Sequence, residues 1–202
     1  NNLISYSFQT AQNLGDALGD AAANVYAIAG EGMAAMYNPE YDGDGDGWVG
    51  SLQAFEGSSG YWLVATADFE FSFNGTDGGL TRSAQLELRR VPEVYSYRQS
   101  DQQAFFFVEN ATIRGGEALE NDDIVIAYNG DVIVGSRYWN GELTDIPAIG
   151  VDSEGGEMYA GYCESGDKVS FKVLDASTGE LLDMNVDGVI EWNNMGMSVI
   201  SL

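Results

Sequence analysis

The sequence predicts a mainly β chain of two small β-sandwich-like modules, with one short helix in the first, on three observations. Short runs rich in Val, Ile, Phe, Tyr and Trp recur at roughly 8–12-residue spacing, the rhythm of all-β folds. Glycine is abundant at 26 residues and proline scarce at 3, which suits short strands joined by glycine turns. The charge also changes character along the chain. Residues 1–81 carry 11 acidic side chains and no Lys or Arg, whereas residues 82–202 carry 21 acidic side chains and all 8 basic ones. That change coincides with the turn-forming run Asn74-Gly75-Thr76-Asp77-Gly78-Gly79. The expected modules are therefore 1–80 and 81–202, with one sandwich crossed by a long hairpin loop as the alternative.

In the first module, residues 3–8 read as a strand. Residues 13–22 form the helix candidate, with Leu14, Ala17, Leu18 and Ala21 at helical spacing and Gly15 and Gly19 weakening it. Strands follow near 25–29 and 33–37, then an acidic loop over 38–47. Residues 61–65 and 69–73 read as strands, the latter placing Phe69, Phe71 and Phe73 on one face. In the second module, residues 104–108 are apolar throughout, as in a strand buried on both faces. Residues 124–128 and 131–135 flank Asn129-Gly130, predicting a hairpin whose type I′ turn has positive φ at both of those residues. Residues 168–174 alternate, with Val169, Phe171 and Val173 on one side. Strands at 181–184 and 197–202 complete the reading.

Composition narrows the function. Hydrophobic residues are 45% and charged residues 20%, enough apolar material for a core despite a formal net charge of −24. Such a charge repels nucleic-acid phosphates and anionic membrane surfaces, so neither is an expected partner. No run of 18 apolar residues is present, so no membrane insertion is expected, and no charged segment precedes an apolar one as in a signal peptide. The absence of histidine removes Ser–His and Cys–His nucleophile pairs and imidazole-bound zinc. Cys163 stands alone and is expected in the core.

The sharpest motif is Asp42-Gly43-Asp44-Gly45-Asp46-Gly47. Carboxylates at positions 1, 3 and 5 with glycine at 6 reproduce the first half of a calcium loop. Hard oxygens from alternate residues of a glycine-rich turn converge on one cation, which relieves their repulsion. The twelfth position is Gln53 rather than the bidentate glutamate of a helix–loop–helix site, and the flanks read as extended. Asp42, Asp44, Asp46 and a backbone carbonyl at Trp48 are the candidate ligands of calcium, the expected cofactor, with Glu40 or Glu56 available to complete the set. A solvated acidic loop is the alternative. Tyr138, Trp139 and Asn140 leave the hairpin into a turn, where a planar ring beside polar groups suits stacking on a sugar; capping of the core by these rings is the competing reading. Trp192-Asn193-Asn194 repeats the combination. Asp122-Asp123 precedes a strand, so its side chains point to opposite faces and make a poor acid–base pair. The triplets Asn74-Gly75-Thr76 and Asn110-Ala111-Thr112 match a glycosylation signal, discounted because such triplets are common and Asn110 ends a buried-looking strand.

The residues Asn2-Leu3-Ile4-Ser5, Val25-Tyr26, Trp48-Val49-Gly50-Ser51-Leu52, Gly60-Tyr61-Trp62 and those over 69–75 together resemble a β module that recurs in secreted and cell-surface proteins of bacteria and archaea. Asn1 stands where that pattern usually has Trp. The runs at 103–109, 126–131, 134–137 and 166–172 resemble β-sandwich modules of large secreted marine bacterial proteins and of marine phage structural proteins. The resemblances imply surface display, tandem arrangement and adhesion or assembly, and supply no catalytic residue. The resulting expectation is a non-catalytic extracellular structural or adhesive module, calcium-stabilised, displayed on a cell or virion surface. Its expected partners are other protein modules or copies of itself. A carbohydrate-binding module of a secreted glycan-degrading protein, with polysaccharide as partner, and a virion or extracellular-filament subunit are the alternatives.

Overall fold

The structure is a computed structural model, and it describes residues 2–40, 46–75, 88–152 and 154–202. The chain divides into two compact units, Asn1–Leu88 and Arg89–Leu202. The boundary drawn from composition, between residues 80 and 81, lies outside the described residues. Both units are built mainly of β-strands, with one short α-helix.

The first unit centres on a five-stranded antiparallel sheet of order β1-β7-β3-β4-β5. Its strands are β1 (Asn2–Tyr6), β3 (Val25–Ala29), β4 (Ala34–Tyr37), β5 (Trp48–Gly50) and β7 (Ser59–Ala65). Two short strands, β2 (Gln12–Asn13) and β6 (Ala54–Phe55), pair separately. Period-2 alternation in β7 sends Tyr61 and Leu63 into the core and leaves Trp62 outward, 36% exposed. Tyr61 and Leu63 meet Tyr6, Val25 and Ile28 from the sheet, Phe55 from β6 and Leu14, Ala17 and Leu18 from α1 (Leu14–Leu18). The helix is half its expected length. Gly19 takes φ +50, which turns the chain out of the α conformation, and a 3₁₀ segment over Gly19–Asn24 follows.

Residues 69–73 depart from expectation: no strand forms there. The alternation is nonetheless used. Phe69, Phe71 and Phe73 share one face, with Phe71 at 5.4 Å from Phe69 and 5.3 Å from Phe73, and Phe73 packs edge-on to Tyr6 and Phe55. The segment delivers three rings to the core without joining a ladder, and just beyond it Asn74 N–H donates to Ala17 O of the helix.

The second unit is a sandwich of two four-stranded sheets. One has the order β12-β11-β14-β15, from β11 (Ile124–Asn129), β12 (Val132–Tyr138), β14 (Ser170–Asp175) and β15 (Glu180–Asp183). The other has the order β13-β8-β17-β16, from β8 (Gln103–Asn110), β13 (Thr144–Ile149), β16 (Asp187–Gly188) and β17 (Met197–Ser201). A two-stranded ribbon, β9 (Thr112–Ile113) with β10 (Glu117–Ala118), stands apart. Phe106, Val108, Ile146, Ala148 and Ile200 from one sheet interleave with Val125, Ala127, Val134, Phe171 and Val173 from the other. Both faces of β8 and of β11 are buried. On β11 the outward Ile124, Ile126 and Tyr128 are covered by Val91 and Tyr95.

The hairpin between β11 and β12 forms with a different turn from the one predicted. A bulge between Ala127 and Tyr128 shifts the register so that Asn129 pairs with Val132. Gly130 and Asp131 therefore make the bend, and positive φ falls on Gly130 alone (+58), the pattern of a turn with glycine first.

The sandwich closes along one side where β12, the edge of one sheet, runs against β13, the edge of the other. A Cβ at Gly135 would stand 1.6 Å from the carbonyl oxygen of Pro147. The two main chains touch there only because Gly135 has no side chain. Beside this contact, Arg137 and the fully buried Asp145 join the two strands in an ion pair at 3.4 Å. Gly135→Ala is expected to destabilise the protein by at least about 1–3 kcal/mol through overpacking against main chain that cannot move aside. Denaturant unfolding of the variant checks this.

Candidate functional site

The acidic loop connects β4 to β5, and its two ends are clamped. Asn38 N–H donates to Gly47 O at 2.7 Å, and Trp48 N–H donates to Asp46 Oδ1 at 3.0 Å. Gly47 takes φ +78 with the Tyr37 ring 3.0 Å from where a Cβ would sit, so this position requires glycine. The Asp46 side chain lies over Gly15 of α1, its Cβ 3.1 Å from a virtual Cβ there. Trp48 is 5% exposed and tilts against Tyr37 at 5.3 Å, so its ring belongs to the core. Its indole nitrogen is buried with no hydrogen-bond partner among the described residues. Asp42 and Asp44 lie outside the described residues. Among the described residues no three acidic or thiol side chains gather into a group that could hold a metal.

The second candidate, at the end of β12, is corrected by the structure. Trp139 is 8% exposed and packs in the sandwich core with Val125, Ile146 and Phe171, so neither face of its ring is open to a sugar. The physical reason is local. Trp139 N–H donates to Asp123 O, extending the β11–β12 register by one pair, so alternation puts Trp139 on the face of Val125, in the competing role of capping the core. Tyr138 is half-buried, with the Arg89 guanidinium 3.8 Å over its ring, and that face is occupied as well. Asn140 is exposed, and its N–H donates to Thr144 Oγ1 at 3.0 Å. Trp192 is also core: it is 3% exposed, and its indole N–H donates to Ala148 O at 2.8 Å. Trp139→Ala is accordingly expected to cost about 3–5 kcal/mol of stability. Thermal or denaturant unfolding should register that loss whether or not any polysaccharide is present.

Asp122 and Asp123 face apart. Asp122 pairs with Arg89 at 3.0 Å in solvent. Asp123, 4% exposed, accepts the N–H groups of Glu120 at 2.7 Å and Ala176 at 2.9 Å. Asp167 accepts Glu164 N–H and the Asn129 amide, both at 2.9 Å. Asp175 goes furthest: Oδ1 takes the N–H and hydroxyl of Ser177 and the N–H of Thr178, and Oδ2 takes the Thr178 hydroxyl at 2.8 Å. These turn-closing roles were missed in the sequence, although Asp175-Ala-Ser-Thr-Gly179 carries the signal, an aspartate followed at two and three residues by hydroxyls and then by glycine.

The Asp175 carboxyl is lowered from its ordinary 3.8, first by the Ser177 hydroxyl and then by the Thr178 hydroxyl. A carboxyl lowered in the folded state adds stability above its unfolded pKa and loses it as pH falls through the folded value. The gap in denaturant midpoint between wild type and Asp175→Asn should therefore be widest near neutrality and close below about pH 4. Cys163 is buried in the core, and burial, aided by Asp167, pushes its thiol up to about 12. It stays protonated at neutral pH and is no nucleophile.

Asn110 is exposed at the end of β8, in contrast to the buried setting expected for it. Asn74 instead spends its amide on Asp16 O at 2.9 Å. No helix among the described residues is long and apolar enough to cross a membrane. Comparison with protein-family models, with curated proteins and with solved structures finds no match.

Proposed function

We propose that this chain is a non-catalytic structural or adhesive module working outside a cell or on a virion surface, held in shape by calcium at Asp42, Asp44 and Asp46, and joining other modules or copies of itself. The observation that carries the reading is the clamped connection between β4 and β5. Asn38 N–H on Gly47 O and Trp48 N–H on Asp46 close the base of a loop whose sequence places three carboxylates at alternate positions. A hard divalent cation offsets the repulsion such closure creates. The assembly role draws on β1, an edge strand of sequence Asn-Leu-Ile-Ser-Tyr that carries no charge and leaves Leu3 67% exposed. Edges blunted by charge resist pairing, and this one has no such guard. The carbohydrate-binding alternative loses its stacking platform with the burial of Trp139.

Melting the protein in calcium and in excess chelator tests the reading. At about 100 times the dissociation constant, calcium adds about 2.7 kcal/mol to the folded state. For a domain of this size that raises the melting midpoint by several degrees. Asp44→Asn should abolish the rise. Equal midpoints with calcium and chelator would overturn the calcium site.

A further inference from the structure

The sequence holds three Asn-Gly pairs, Asn74-Gly75, Asn129-Gly130 and Asn140-Gly141, and the fold treats them differently. Asn129 donates its amide to Gly161 O, Tyr162 O and Asp167 Oδ2 at 2.9–3.3 Å, so its carboxamide is held by three acceptors. Asn74 donates its amide to Asp16 O, and its backbone N–H donates to Ala17 O. The Asn140 side chain is exposed and makes no hydrogen bond to any described residue. The next residue, Gly141, takes φ +95, has open space where a Cβ would stand, and does not donate its N–H to any described group. The rest of that turn is fixed: Thr144 Oγ1 accepts Asn140 N–H at 3.0 Å and donates to Gly141 O at 2.6 Å.

We infer that Asn140 is a self-modification site, converting spontaneously to aspartate and isoaspartate while Asn129 and Asn74 persist. The Gly141 main-chain nitrogen attacks Asn140 Cγ and forms the new N–C bond. The side-chain nitrogen departs with the proton from Gly141 as ammonia, closing a five-membered succinimide. Water then opens either imide carbonyl, giving aspartate or isoaspartate with no change in oxidation state. The reaction needs a carboxamide free to rotate and an amide nitrogen neither bonded elsewhere nor shielded by a neighbouring side chain. Of the three sites, Asn140 has both: its carboxamide is unbonded and glycine leaves the approach open. The product puts a further negative charge on the turn between β12 and β13. The isoaspartate form adds a methylene to the main chain beside the Thr144 clamp.

Incubating the full chain in warm, mildly alkaline buffer and mapping its peptides by mass spectrometry, with isoaspartyl methyltransferase labelling, tests the inference. Conversion at Asn140 should run at least about tenfold faster than at Asn129 or Asn74, which is about 1.4 kcal/mol in barrier. In guanidinium chloride, where the protecting hydrogen bonds are gone, the three rates should converge, and Asn140→Gln should remove the fast native component. Native rates that are equal at the three sites, fastest conversion at Asn129 or Asn74, or an Asn140 that stays intact natively while converting in denaturant would each overturn it.

Discussion

The second unit depends on one place where the chain has no room for a side chain. Gly135 on β12 lies against the carbonyl of Pro147 on β13, and this contact sets how closely the edges of two different sheets approach. Interiors pack at crystal-like density, so the spacing at that corner is passed on to the layer between the sheets. Phe106 meets Phe171 at 5.3 Å across that layer. Arg137 and Asp145 lie at the same corner, one from each sheet. A buried ion pair contributes little net stability, but it strongly penalises any arrangement that separates its partners. Glycine fixes the distance, and the ion pair opposes sliding of one strand past the other. The chain then crosses between sheets through Trp139, whose ring fills the end of the core.

The corner explains why a turn with the look of a binding site became a structural one. An aromatic pair followed by Asn-Gly can serve a ligand or close a sandwich, and adjacent residues cannot both turn inward. Alternation along the strand decides which one does, with Trp139 on the core face beside Val125 and Tyr138 on the outer face beside Ile124. The Asp123 carboxylate in turn accepts the N–H groups of Glu120 and Ala176, so two separate connections at this end of the sandwich share it. The same economy recurs at Asp167 and Asp175. Part of this chain's acidity is turn chemistry. A carboxylate that accepts main-chain N–H groups is stabilised without a cation, which helps a protein with 32 acids and 8 bases to fold.

What was legible in the sequence was what depends on local period. The strand at Ser170–Asp175 follows from alternation, and β8 follows from its unbroken apolar run. What was not legible depends on partners. Residues 69–73 alternate as well as any strand, but alternation records which face is buried and not whether a neighbour offers a ladder. The Asn129-Gly130 turn moved by one residue because a bulge two positions earlier shifted the register, and no residue type marks that bulge. Helix α1 stopped at Gly19, where the glycine was noticed but its positive φ is a property of the packed chain. For the candidate sites the division is the same. Sequence showed where carboxylates and rings cluster along the chain, while the burial of Trp139 and the hydrogen bonds of Asp123 and Asp175 required the fold.

The connection between β4 and β5 uses the same turn chemistry at Asp46, which accepts Trp48 N–H, and magnitudes show what three carboxylates in its sequence would add. The clamp at its base consists of two hydrogen bonds, one to a carboxylate, with a net worth of about 0.5–1.5 kcal/mol for the neutral one and about 1.5–3 for the charged one. Like charges about 4 Å apart repel by about 1 kcal/mol in water and about 4 at the effective dielectric of a protein surface. Three carboxylates held at such separations would repel one another by as much as the bonds at the base of the loop contribute. No Lys or Arg lies within the first 81 residues to offset the charge. Screening by salt weakens the repulsion, and a bound divalent cation reverses its sign. The proposed calcium site would make closure of the hairpin that carries Trp48 into the core depend on the ions around it.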